Sequence, residues 1–272
     1  MSPIQLSTIA HENQGNSYIT FPTDLGNIEP IWFEANLIPN FNIRASKNSR
    51  LLGVLTPQII IRMYQEESFP VRTPSYIPQL SVYYRLGQKD YANTWNLFGR
   101  FAHHSNGQDG DFYLENGDIN LKTGSFATNY LEFGIIKTQY SERYNAVQFF
   151  STSIEVHPPN MSIDELKGIY GLYRWNTIFS IFKLQNTSIN GSKKASLSLK
   201  AKATWMFGEL NDKNALAWRR LIVSMTLYYH PKFLEDIGFF AQVYRGSDYY
   251  NIYFDHQLLV IRFGIMTEIL RF

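Results

Sequence analysis

The sequence predicts an all-β chain, a single antiparallel transmembrane β-barrel of about 12 strands. Three observations predict it. Aromatic residues make up 16% of the 272 residues and charged residues 18%, against roughly 25% charged in an average soluble domain, so the surface must tolerate apolar groups. No stretch reaches the roughly 20 consecutive apolar residues of a membrane-crossing helix, because Arg, Lys, Asn or Gly interrupts each one. Several runs alternate apolar and polar residues over ten or more positions, whereas soluble strands average about 5–6 residues and membrane-crossing strands need about 9–11.

The strands expected in chain order are 16–22, 30–44, 51–65, 76–86, 93–106, 126–138, 143–156, 166–184, 195–207, 214–229, 237–247 and 256–271. In 95–105 the odd positions Trp95, Leu97, Gly99 and Phe101 form an oily face that ends in His103 and Ser105, while Asn96, Arg100, His104 and Asn106 suit a polar interior. In the next run Asn129, Leu131, Phe133 and Ile135 share the oily face, opposite Tyr130 and Glu132. From 169 to 182, Ile169, Tyr173, Trp175, Phe179 and Ile181 fall opposite Arg174, Asn176 and Ser180. In 257–268, Leu259, Ile261, Phe263 and Ile265 oppose Arg262 and Glu268. The chain closes on Ile269, Leu270, Arg271 and Phe272, similar to the C-terminal assembly signal of bacterial outer-membrane barrels. An even-numbered barrel begins and ends on the periplasmic side, which puts 66–75, 107–125 and 157–165 on the extracellular rim.

No internal repeat, low-complexity tract or Pro/Gly/Ser linker divides the chain, so 1–272 reads as one domain, with the pairing of 1–29 left unassigned. Cysteine is absent, which excludes disulfides, thiol catalysis and thiolate metal sites. A net charge of +2 without a Lys/Arg block argues against nucleic acid as a partner. No basic segment followed by an apolar one opens the chain, which suits either a cytosolic protein or a mature form re-started with Met.

The loop 107–125 joins antiparallel neighbours at their shared end, so His103, Ser105 and Asn129 can meet near the rim. A hydroxyl, an imidazole to take its proton and a third polar group to hold the imidazole tautomer have the logic of a nucleophilic triad. A neutral Asn is also cheaper to place beside hydrocarbon than an ionised Asp. The bland reading of the same residues is a set of rim side chains in contact with lipid headgroups.

The run Phe101-Ala102-His103-His104-Ser105-Asn106-Gly107 resembles the His-x-Ser-Asn-Gly signature of the outer membrane phospholipase A family. Asn129 matches that family's third catalytic residue, although the intervening loop is longer here. Residues 66–80, acidic and containing Ser and Pro, resemble the family's loop leading into a strand, and Ala241-Gln242-Val243-Tyr244-Arg245-Gly246 resembles its C-terminal hairpin. The resemblance implies a calcium-dependent phospholipase, active as a homodimer, in the bacterial outer membrane with its active site facing the cell exterior. It implies Ser105 as nucleophile, His103 as base and then acid, Asn129 as orienting residue and Gly107 as an oxyanion N–H. Calcium ligands would be Ser125, the carbonyl of Gln108 and, from the partner subunit, Ser68. The loop acids Asp109, Asp111, Glu115 and Asp118 do not fit an EF-hand, because Tyr113 stands where an oxygen ligand is needed, and they read as a solvated face. Rival readings are a non-enzymatic barrel, acting as a pore, a structural element or a subunit of an assembly, and a soluble β-sandwich binding module with the aromatics as its core.

Overall fold

Residues that alternate in sequence alternate in burial. A computed structural model describes residues 4–21, 26, 30–87, 93–189, 192–210, 214 and 216–267. Along Ser75–Leu86 (β5) every odd position from Ser75 to Arg85 is buried and every even one from Tyr76 to Tyr84 is exposed. The same holds for Asn93–Ser105 (β6), where Trp95, Leu97 and Phe101 are exposed and Thr94, Asn96, Phe98 and Ala102 are buried. The remaining strands are Tyr18–Thr20 (β1), Ile31–Leu37 (β2), Phe41–Ile43 (β3), Leu51–Tyr64 (β4), Ala127–Ser141 (β7), Ala146–Val156 (β8), Tyr173–Ile189 (β9), Ser192–Phe207 (β10), Leu221–Tyr229 (β11), Ile237–Ser247 (β12) and Gln257–Thr267 (β13).

Each strand from β4 to β13 pairs antiparallel with its sequence neighbour, and β1 joins β13 to β2, which pairs with β4. The sheet therefore closes into a barrel and leaves no long free edge. Both β2 and β3 lie against β4, one opposite 59–64 and the other opposite 53–55. They are two pieces of one barrel strand, interrupted at Ile38, Pro39 and Asn40, where Pro39 has no N–H to give the ladder. Counted so, the barrel has 12 strands.

The two faces have the opposite sense to a soluble protein. Phe133, Trp175 and Leu259 are more than half exposed on the outer wall, whereas Glu34 and Arg262 have no exposure at all. A soluble sandwich is thereby excluded, since it would put its oily face inward. Inside, Arg62 donates from Nε to Glu34 (2.6 Å) and from both terminal nitrogens to Asp248 (2.6 and 2.8 Å), while Arg262 donates to Glu34 at 3.1 Å. Charges removed from water need this kind of mutual pairing.

Sequence patterning left the N-terminus unassigned, and it holds a helix inside the barrel. In Leu6–Gln14 (α1), Leu6, Ile9 and Ala10 pack against Leu52, Tyr83 and Phe149 from the surrounding wall. The helix's polar side chains find lumenal partners: Glu12 accepts from Ser180 (2.6 Å) and pairs with Lys200 (3.0 Å), and Asn13 accepts from Arg100 at 2.7 Å. Toward the other end of the barrel lies a cavity of about 380 Å³, lined among others by Tyr130, Glu155, Arg174, Lys202 and Asp248.

Loops 65–74, 106–126, 157–172 and 248–256 lie at that end, with the described 208–210 and 216–220, and turns 44–50, 142–145 and 230–236 lie at the end that holds β1's start and β13's finish. Two strands begin later than their sequence pattern predicts. Residues 166–172 belong to the 157–172 connection, with Leu166 and Tyr170 buried over the barrel mouth, so Ile169 is not on the outer wall. Residues 216–220 precede β11 and include a turn at Trp218–Arg220. Glu268 and the terminal 269–272 lie outside the described residues.

Candidate active site on the outer wall

Direct pairing of β6 with β7 sets His103 opposite Asn129 and Ser105 opposite Ala127. Because the side-chain period of a strand is two, His103 and Ser105 share the outward face, spaced roughly 6.5 Å apart along β6. All three polar residues are half-buried at the long-loop end of the wall, just above the exposed Phe101 and Phe133. His103 Nδ1 lies 3.0 Å from Asn129 Oδ1, and Asn129 Nδ2 donates to the carbonyl of Met161 at 2.7 Å. No hydrogen bond joins the Ser105 hydroxyl to the His103 ring.

Beyond Ser105 the chain turns sharply. Gly107 adopts φ +68°, and a Cβ there would lie 3.6 Å from the Tyr76 ring, which is the left-handed region that glycine enters without steric cost. Asn106 fixes the turn from within. It is almost fully buried; its Nδ2 donates to the Gly124 carbonyl (2.8 Å), and its Oδ1 accepts from the N–H groups of Gln108 (3.2 Å) and Phe126 (3.0 Å). The ladder continues as Ser125 N–H donates to Gly110 at 2.9 Å and Gly110 N–H to Thr123 at 3.1 Å. Gln108 and Ser125 therefore stand on two facing arms. The extra length of the loop folds outside these arms as a small hairpin, in which Tyr113 bridges Ile119 and Leu114 N–H donates to Asp118 at 2.8 Å.

The described residues contain no group of three or more His, Asp or Glu side chains placed to hold a metal, so the acids of the hairpin do not converge. The two arms also carry neutral oxygens, the Ser125 hydroxyl and the Gln108 carbonyl, neither taken by another described residue. Neutral oxygens are acceptable donors for a hard cation such as calcium, so the two arms fit that ion in chemistry. Gln108 is tied to the neighbouring loop through its Nε2, which donates to Thr73 Oγ1 at 2.9 Å. Ser68 is exposed on that same loop.

Sequence reasoning missed a second layer behind Asn129. Thr128 points into the lumen, where its hydroxyl meets Ser162 Oγ (2.7 Å) and His157 Nδ1 (2.9 Å), and His157 Nε2 faces Glu155 at 2.8 Å. The inward parity of Thr128 was readable. Its partners arrive from a loop whose path period two does not encode.

No family model matches the chain, and no curated protein matches it in sequence. Solved structures do match in shape. The outer membrane phospholipase A of Escherichia coli superposes with a TM-score of 0.62 over 97% of this chain and 98% of its own, at 15% identity. The chain has the fold of the outer membrane phospholipase A barrels. An active-site mutant of the E. coli enzyme matches with a TM-score of 0.60 and 14% identity over 93% of this chain and 90% of its own. The Salmonella typhi outer membrane phospholipase, a dimer with bound calcium, matches with a TM-score of 0.59 and 14% identity over the same shares of the two chains.

Proposed function

We propose that this chain is a calcium-dependent phospholipase of the bacterial outer membrane, hydrolysing acyl esters of outer-leaflet phospholipids through Ser105, His103 and Asn129. The observation that carries the reading is the 3.0 Å contact between His103 Nδ1 and Asn129 Oδ1, beside Ser105 on the outward row of the wall. A soluble substrate would not require a nucleophile facing hydrocarbon. A phospholipid lying in the bilayer would bring its ester to this height, where the outward row changes from aromatic to polar.

With Nδ1–H donated to Asn129, His103 presents an unprotonated Nε2 to the Ser105 hydroxyl. As the Ser105 oxygen bonds to the ester carbon, its proton passes to His103 Nε2. The same proton then leaves on the glycerol oxygen as the ester C–O bond breaks. Water repeats the sequence on the acyl-enzyme, releasing fatty acid and restoring the serine. The Gly107 N–H would donate to the oxyanion. Ser125 and the Gln108 carbonyl, with Ser68 of a second copy, would hold calcium, whose charge would add to that stabilisation. The site is complete only in a homodimer on this reading.

The test is fatty-acid release by the purified, detergent-folded protein from phospholipid micelles, with calcium and with chelator. Release that depends on calcium and disappears in Ser105→Ala supports the proposal. A folded sample that releases no fatty acid in calcium overturns it and favours a non-enzymatic barrel.

A further inference from the structure

The carbonyl of Met161 can accept a hydrogen bond and cannot donate one. Since Asn129 lies 2.7 Å from it, the group facing Met161 must be the Asn129 NH₂, and the group facing His103 must be the amide oxygen. That oxygen in turn can only accept, so the proton between them resides on His103 Nδ1. The tautomer of a histidine on β6 is thus set by a backbone carbonyl in the connection between β8 and β9.

That connection is held in place from the lumen. Ser162 forms an isolated bridge with Thr128, and Ile163 N–H donates to the Ala127 carbonyl at 3.1 Å, so 162–163 run as a short added strand along β7. The Ser162 and Thr128 hydroxyls lie 2.7 Å apart, Thr128 Oγ1 lies 2.9 Å from His157 Nδ1, and His157 Nε2 lies 2.8 Å from Glu155. The carboxylate can only accept, so a neutral His157 carries its proton on Nε2 and takes the Thr128 proton at Nδ1, and the Ser162 proton is shared between Thr128 and the Pro158 carbonyl at 3.3 Å. Glu155 is fixed by Arg174 (3.2 Å) and Asn176 (3.1 Å) on β9. Farther along the connection, Leu166 and Tyr170 are buried against Phe126 and Phe254.

We propose that residues 157–163 form a positioning strap: seated by the Ser162–Thr128–His157 relay, the strap places the Met161 carbonyl so that Asn129 locks His103 as its Nδ1–H tautomer. The reaction class rests on the reading of Ser105, His103 and Asn129 given above. The tautomer does not, because it follows from donor and acceptor identities alone. Thr128, Ser162 and His157 are positioning residues, separated from the reacting atoms by the barrel wall.

The experiment uses full-length protein folded in detergent, with Thr128→Val, Ser162→Ala and the conservative Thr128→Ser, each checked for heat-modifiable gel migration. Two quantities are read: steady-state hydrolysis of phospholipid micelles, and the ¹⁵N shifts of the His103 ring at alkaline pH, assigned with His103→Gln. Thr128→Val and Ser162→Ala are expected to lower kcat about 10–100-fold with KM within about twofold. Their His103 signal should move from the Nδ1–H form toward a mixture, and Thr128→Ser should restore both readouts. Folded variants with wild-type kcat and an unchanged His103 tautomer overturn the proposal. So does a fall in kcat with the tautomer intact and no rescue by Thr128→Ser, since that marks a merely structural residue. If the wild type releases no fatty acid, the phospholipase reading fails alone, and the nitrogen shifts still decide the strap. Should Thr128→Val not fold, Ser162→Ala, in the partly exposed loop, carries both readouts.

Discussion

Asn106 accepts the N–H of Phe126 at 3.0 Å across the mouth of the loop that separates Ser105 from Ser125. A single side chain thereby ties the proposed nucleophile's strand to the arm that carries a proposed calcium ligand. Asn106→Ala leaves the Phe126 and Gln108 N–H groups and the Gly124 carbonyl without this partner, at about 1–3 kcal/mol for each group that water cannot reach. The variant is expected to fold as a barrel, to unfold at lower urea concentration and to need more calcium for half-maximal hydrolysis. A calcium titration identical to wild type would separate the arms from ion binding.

Glu34 is shared by Arg62 and Arg262 in the lumen and also accepts from Tyr18 at 2.6 Å. Removing one member of a buried ion network costs about 3–5 kcal/mol, because the charges left behind remain out of water. Glu34→Gln, nearly unchanged in shape, should therefore lose stability of that order in urea unfolding from lipid vesicles. A loss below about 1 kcal/mol would mean that water reaches these guanidinium groups.

Phe133 is 64% exposed on the outer wall of β7. On a soluble protein, exchanging so exposed a phenylalanine for arginine would be harmless. Against hydrocarbon near the middle of a bilayer it should cost about 2–4 kcal/mol. Folding of Phe133→Arg into vesicles, compared with wild type, gives the sign directly.

Burial lowers the affinity of the His157 imidazole for a proton, and Arg174 adds to this, while the hydrogen bond to Glu155 opposes it less strongly. Tyr130, Tyr170 and His104 are the other titratable groups around it. With the native value depressed below the ordinary one of about 6.5, the unfolded chain binds the proton first as pH falls. Stability from a neutral His157 is therefore present above about pH 6.5 and lost as pH drops through the native value. A protonated Nδ1 would also reverse the Thr128 hydroxyl and leave the Ser162 proton only the longer contact to the Pro158 carbonyl, 3.3 Å. Limited proteolysis within 157–172 should accelerate on acidification, and His157→Gln should flatten that dependence.

The long strands and the outward parity of His103, Ser105 and Asn129 were legible because period two survives in any sheet with two unlike faces. The helix Leu6–Gln14 was not, for the same physical reason: the barrel interior is itself polar, so Glu12, Asn13 and Gln14, which bond to the lumenal wall, cannot be told by residue type from solvent-facing ones. Strand 30–44 was legible in extent, but its division at Pro39 became evident only from the pairing with β4. In the site, residue types pointed to a hydroxyl, an imidazole and an amide. The Met161 carbonyl could not be found that way, because every residue carries one and its use depends on the path of a loop.

The helix within the barrel has a consequence for the membrane around it. Leu6, Ile9 and Ala10 fill the end of the lumen that holds the chain's first strand, packed against Leu52, Val54, Phe149 and Phe182 with no exposed surface at Ile9. The hollow beyond them, about 380 Å³, is therefore a chamber with a floor. The chain's own N-terminal segment thus takes up lumenal volume that a pore would have to keep clear, and the outer wall is the surface left to meet lipid.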